Sequence, residues 1–86
     1  MYRISIDKKA YKELAHLPKK DYAKIVDSIY KLAENPKPYG YKELKGYPDH
    51  FRIRQGNYRI IYNIVRKALI INVIKIGHRK DVYEAF

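Results

Sequence analysis

The residues best equipped for chemistry gather around one dipeptide. Gly56-Asn57 has the composition of a two-residue hairpin turn, with Arg52 and Arg54 on one side of it and Arg59 on the other. Such a turn sets Arg54 opposite Arg59 and Ile53 opposite Ile60, and alternation puts Arg52 on the side of Arg54. A turn at Gln55-Gly56 sets Arg52 opposite Arg59 instead and keeps the cluster, whereas a three-residue turn with a bulge disperses it. Like charges directly opposed across a sheet are destabilising, by roughly 0.2–1 kcal/mol, and sequences break such local rules where function requires it. A planar guanidinium can hold two oxygens of one phosphate, so three on one patch suit a phosphodiester. The bland alternative is that Asp49, Glu43 or Glu84 neutralises them, or that they extend into water.

His78, Arg79 and Tyr83 follow the last apolar run closely. If that run is a strand beside residues 58–65, its end delivers all three next to Arg59. Arginines can stabilise charge building on a phosphorane, and histidine titrates near neutrality. Tyrosine can stack on a base, or move a proton when nearby cations lower its pKa. Other chemistries lack their residues. His16, His50 and His78 lie far apart and no His, Asp or Glu group has metal-ligand spacing, so neither a metal nor a cofactor is expected. Ser5 and Ser28 sit in no nucleophile turn, and no glycine-rich phosphate loop occurs.

The elements that must position these groups follow from periodicity. Residues 2–6 alternate as a first strand. Asp7 can cap a helix with Tyr11, Leu14 and Leu17 on one face, closed by Pro18. A second helix over residues 19–34 carries Tyr22, Ile25, Val26, Ile29, Leu32 and Ala33 as its apolar stripe and stops at Asn35-Pro36. The tyrosines of this hairpin read as packing residues. Residues 36–49, with Pro38, Gly40, Gly46 and Pro48, read as a long ordered loop. Strands follow at 50–55, 58–65 and 69–76, the last ended by Gly77. The order β-α-α-β-β-β predicts an α+β fold, with the two-helix hairpin packed on one face of a small antiparallel sheet, as one domain over residues 1–86.

A net charge of +10, from 19 Lys and Arg against 9 Asp and Glu, attracts polyanions, of which nucleic acid is the commonest. An acidic protein or an anionic membrane surface is the alternative. The chain has no cysteine, which excludes a disulfide framework and a thiolate zinc site and fits a reducing cytosol. Residues 68–76 form the longest apolar stretch, interrupted by Asn72 and Lys75 and far short of the roughly 20 residues that span a bilayer. No signal peptide is visible, and a soluble cytoplasmic protein is expected.

Two stretches resemble the RelE/ParE toxin superfamily: residues 44–62, with R-I-R-x-G-x-Y-R-x-x-Y from Arg52 to Tyr62, and residues 73–83, with G-H-R-x-x-V-Y from Gly77 to Tyr83. The likeness extends over nearly the whole chain, including the helical hairpin and its Asn35-Pro36 stop. It implies a RelE-like, microbial-ribonuclease-type fold and the toxin of a type II toxin–antitoxin system. The implied activity is that of an mRNA interferase, a metal-independent endoribonuclease. It cuts mRNA in the ribosomal A site by attack of a ribose 2′-OH on the adjacent phosphate, inhibits translation, and is neutralised by a RelB-like antitoxin.

By position, Arg52 and Arg54 match two basic residues of that active site, and Arg59 matches the arginine on the scissile phosphate. Arg79 matches a second arginine near it, Tyr83 the tyrosine that stacks on or orients the nucleotide, and His78 stands beside Arg79. Lys45 and Lys80 join Arg52, Arg54, Arg59 and Arg79 as the expected RNA contacts. Arginine cannot readily act as the base where some relatives carry lysine. The proton acceptor then shifts to Tyr83, His78, Glu43 or ribosomal RNA. The ParE branch, which inhibits gyrase without cutting RNA, and a passive RNA-binding module are the alternatives. The joint presence of Arg52, Arg54, Arg59, Arg79 and Tyr83 favours the RelE branch. The antitoxin is expected to block or distort the arginine patch, aided by Ile61, Ile70 and Ile74 around it.

Overall fold

The structure, a computed structural model, describes residues 1–78. Arg79, Lys80 and Tyr83 lie outside the described residues. Strand β1 (Arg3–Ile6) leads into helix α1 (Lys8–Ala15) and helix α2 (Lys19–Glu34). Asp7 holds the N-cap position of α1 with its main chain extended, but its side chain makes no capping hydrogen bond. Its carbonyl accepts from Tyr11 N at 2.8 Å, the first bond of the helix. Pro18 opens α2 as its N-cap rather than closing α1, which has already ended at Ala15. Helix α2 runs to the expected residue. Asn35 then turns extended (φ −140°) because the proline that follows disfavours a helical conformation.

A five-stranded sheet supports the helices, in the order β1-β5-β4-β3-β2. Strand β3 (His50–Gln55) and β4 (Tyr58–Val65) form the central hairpin, and β5 (Ile70–His78) follows. A two-residue strand, β2 (Lys42–Glu43), pairs with β3 inside the segment expected to be loop. All neighbours are antiparallel except β1 and β5, which run parallel, so the sheet is mixed. A parallel pair needs a long crossover, and here everything from α1 to β4 lies between its two strands.

Both helices cover one face of this sheet. Ala10 and Leu14 of α1 and Ile25, Ile29 and Leu32 of α2 meet Phe51, Ile53, Ile60, Tyr62, Ile64, Ile71, Val73 and Ile76. Tyr62 donates to the Pro36 carbonyl at 2.6 Å and packs its ring near Phe51. Burial pushes its phenol pKa up, with the neighbouring Tyr41 adding to the shift.

Strand β5 departs twice from the expected outline. Leu69 is in the turn, at φ +54°, rather than in the strand. The strand also continues through Gly77 to His78, because Arg59 and Tyr58 of β4 are there to pair with them. Between Ile61↔Lys75 and Tyr62↔Val73 the register slips, leaving Ile74 as the extra residue of a bulge. Beyond the end of β1, α1 takes over the outer edge of β5. Glu13 accepts from Ile76 N at 3.1 Å and forms an ion pair with Lys75.

Candidate functional site

The arginine cluster stands on the sheet face away from the helices. Gly56 takes the left-handed conformation (φ +61°) that a tight turn requires, and the hairpin register follows: Arg54↔Arg59 and Ile53↔Ile60. Directly paired residues share a face, so Arg54 and Arg59 stand side by side while Ile53 and Ile60 enter the core. Arg52 shares the arginine face by alternation, opposite Ile61 on one strand and Lys42 on the other. It is only 8% exposed, and Ile61 beside it is fully buried. Arg52 therefore forms the floor of the patch, and Arg54, which is exposed, forms its rim. Arg59 donates from Nη1 to the Tyr58 carbonyl at 3.5 Å, which helps orient its fork. Among the described residues, neither Arg52 nor Arg54 has a carboxylate within ion-pair distance. The two ion pairs there are Lys31–Asp27 and Lys75–Glu13.

Gly77 lies opposite Arg59, so β5 ends beside the arginine pair as expected. His78 does not join the patch. It pairs with Tyr58 and shares that residue's side, its ring 5.9 Å from the Tyr58 ring in an edge-on contact. Tyr58 faces α2 and donates to Asp21 at 3.3 Å. Burial, followed by the charge and hydrogen bond of Asp21, raises the Tyr58 pKa. The cause of the misplacement is the bulge. Without it, alternation would carry Ile70, Asn72, Ile74, Ile76 and His78 along the arginine face. The extra residue gives that face to Lys75 and Gly77, and turns Ile76 and His78 toward the helices.

Glu43 is also displaced from the patch, since it pairs with Phe51 and shares the core side. Lys45 sits in the loop between β2 and β3, at the opposite end of β3 from the Arg54–Arg59 pair. Two residues missing from the sequence-derived set stand on the arginine face: Lys42, through the short β2, and His50, through alternation with Arg52. Only strand pairing inside a Pro- and Gly-rich segment reveals Lys42. The alternation of β3 already carried the signal for His50.

Ile61 cannot help to dock a partner, because it is fully buried. On the helical side, exposed apolar side chains cluster, whereas Tyr39, Tyr47 and Leu69 are exposed singly in loops elsewhere. Tyr11 and Tyr30, 63% and 66% exposed, rim a groove of ≈ 210 Å³ with Tyr22, Val26, Ile4 and Ile6. The expectation that Tyr11 and Tyr22 are packing residues fails there. Among the described residues no three His, Asp or Glu side chains are placed to hold a metal, and no helix is long and apolar enough to cross a membrane.

Residues 4–83 match the family described as the ParE toxin of type II toxin–antitoxin systems. A Methanocaldococcus jannaschii chain that carries the toxin name RelE1 is 31% identical over 86 residues, covering 96% of each chain. The Pyrococcus horikoshii RelE in its complex with RelB matches at a TM-score of 0.80 and 32% identity, covering 91% of this chain and 94% of that one. The isolated Escherichia coli RelE toxin shares the fold at a TM-score of 0.81, covering 91% and 84%. The chain belongs to the RelE/ParE superfamily of type II toxins.

Proposed function

We propose that this toxin is a metal-independent mRNA endoribonuclease that acts on the ribosome. The observation that carries the reading is the direct pairing of Arg54 with Arg59 above a floor formed by Arg52, on a face where Lys42 adds a fourth cation. In the proposed reaction a ribose 2′-oxygen attacks the adjacent phosphorus and the bond to the 5′-oxygen breaks, which leaves a 2′,3′-cyclic phosphate and a 5′-hydroxyl. Arg59 and Arg54 hold the non-bridging oxygens as negative charge grows on them. One group must take the 2′-proton and another must return a proton to the 5′-oxygen. With His78 and Glu43 turned to the other side of the sheet, Tyr83 is the proposed proton acceptor. Arg79 is proposed as a further phosphate contact, with Lys45 and Lys80 as RNA contacts.

Translation in vitro, followed by primer extension on the message, tests the reading. Discrete cuts that require ribosomes support it. Whole messages in every lane overturn it. The second reading, gyrase inhibition, is favoured by the match to the ParE family description. It predicts uncut mRNA together with loss of DNA supercoiling by gyrase.

The proposed antitoxin is a RelB-like chain, because relatives of this protein have been solved in complex with RelB. Its proposed seat is the tyrosine-rimmed groove, since contiguous exposed apolar surface marks protein partners. Substituting Tyr30 by Asp should weaken neutralisation while toxicity persists. Full protection of that variant by its antitoxin would remove the groove from consideration.

A further inference from the structure

We infer that the loop between β2 and β3 is a pocket for one unpaired nucleobase of the RNA, adjoining the arginine face. The inference rests on the nuclease reading and adds a base-binding subsite to it. Residues 43–50 enclose an open cavity of ≈ 490 Å³, within the roughly 300–1,000 Å³ typical of small-ligand sites.

The loop is built to keep its shape. Leu44 N donates to the His50 carbonyl at 2.9 Å, Tyr47 N to that of Leu44 at 3.1 Å, and His50 N to that of Tyr47 at 3.2 Å. Ile64 N on β4 anchors the Asp49 carbonyl at 3.2 Å. Asp49 takes φ +61°, the left-handed region that Asp enters more readily than most side chains and that a tight loop uses.

The lining has the chemistry of a base site. Tyr47 is 47% exposed as a residue, and its ring lies 6.0 Å from the His50 ring at a tilt of 56°. A carbonyl can only accept, so the 2.8 Å contact with the Pro48 oxygen makes His50 Nδ1 the donor and fixes the ring's orientation. Aromatic rings beside a cationic track form the usual platform for single-stranded nucleic acid. Here the cations are Lys45 in the loop, with Lys42 and Arg52 on the adjoining strands. Glu43 and Asp49 on the cavity wall disfavour a phosphate and suit the N–H donors of a base edge. His50 precedes Arg52 by two residues on one face, about 7 Å at the rise of a strand. A strand of RNA held by the arginines therefore reaches the loop within a few nucleotides.

The test uses the full-length toxin and ribosomes programmed with messages that carry an abasic nucleotide at one position of the A-site codon or next to it. At one position the abasic site should slow wild-type cleavage about tenfold, the size expected for one lost stacking contact. Tyr47→Ala should be about tenfold slower on the intact message and lose nothing further with the abasic one. Tyr47→Phe, which keeps the ring, should recover most of the rate. Losses that simply multiply at every position, or a wild type indifferent to abasic sites throughout, would overturn the inference while leaving the nuclease reading standing. So would a Tyr47→Ala toxin that cuts normally but escapes its antitoxin, which would assign the loop to a protein partner. Absence of cleavage from every message, wild type included, defeats the nuclease reading and the pocket with it.

Discussion

The two faces of the central hairpin are made from alternate residues of the same strands and obey opposite rules. On the helical face, Ile53 and Ile60 pair inside a core that α1 and α2 close over. One residue along, Arg54 and Arg59 pair directly on the opposite face, two like charges side by side. Removing apolar area from water stabilises the first pair, while mutual repulsion weakens the second by roughly 0.2–1 kcal/mol. Stability and proposed chemistry thus occupy the two sides of one sheet. That separation predicts that each can be damaged without the other.

The largest effect should come from the core. Ile60 is fully buried at the centre of the sheet, so Ile60→Ala should cost about 4 kcal/mol in urea unfolding. The variant molecules that remain folded should keep their activity. Next comes Arg59→Ala, expected to lower cleavage about 10²–10³-fold and to end growth arrest, with unfolding free energy within about 0.5 kcal/mol of wild type. Equal toxicity at equal expression would erase the division of labour between the faces.

Tyr62→Phe probes the core more finely. It removes the bond to the Pro36 carbonyl and should cost about 1 kcal/mol at neutral pH. Because the folded phenol titrates above the ordinary value of 10.0, its contribution is complete below pH 10 and is lost as pH rises beyond it. The variant should therefore show a shallower alkaline fall in stability. The smallest effect should be at Leu69, whose left-handed backbone costs about 1–2 kcal/mol, against about 0.5–1 for the freedom of an unfolded glycine. Leu69→Gly should gain about 0.5 kcal/mol, or roughly 2–4 °C in melting temperature, with toxicity unaltered.

Where the pattern was local, the sequence was enough. The limits of α2 follow from an apolar stripe and an Asn-Pro stop, and the arginine register follows from one Gly-Asn turn. Features that depend on distant partners were not legible. Lys42 joins the cationic face only because two residues of an apparent loop find β3. His78 leaves it because one extra residue at Ile74 reverses the alternation, and no local signal marks a bulge between isoleucines and a lysine. The exposed tyrosines of the helices were misread for a related reason. A stripe with helical spacing tells which residues share a face, not whether the chain itself supplies the surface that covers them.

The Glu13 contact has a consequence for life at high concentration. A sheet border with bare amide groups invites another chain to continue the ladder. Along β5 past Ile6, a helix carboxylate occupies the amide of Ile76, so that stretch offers no template there. The terminal strands of the sheet, β1 and β2, have only four and two residues. Replacing Glu13 with alanine should thus promote fibrillar self-association, and it should also lower the melting temperature, because the largely buried Lys75 ammonium loses its carboxylate.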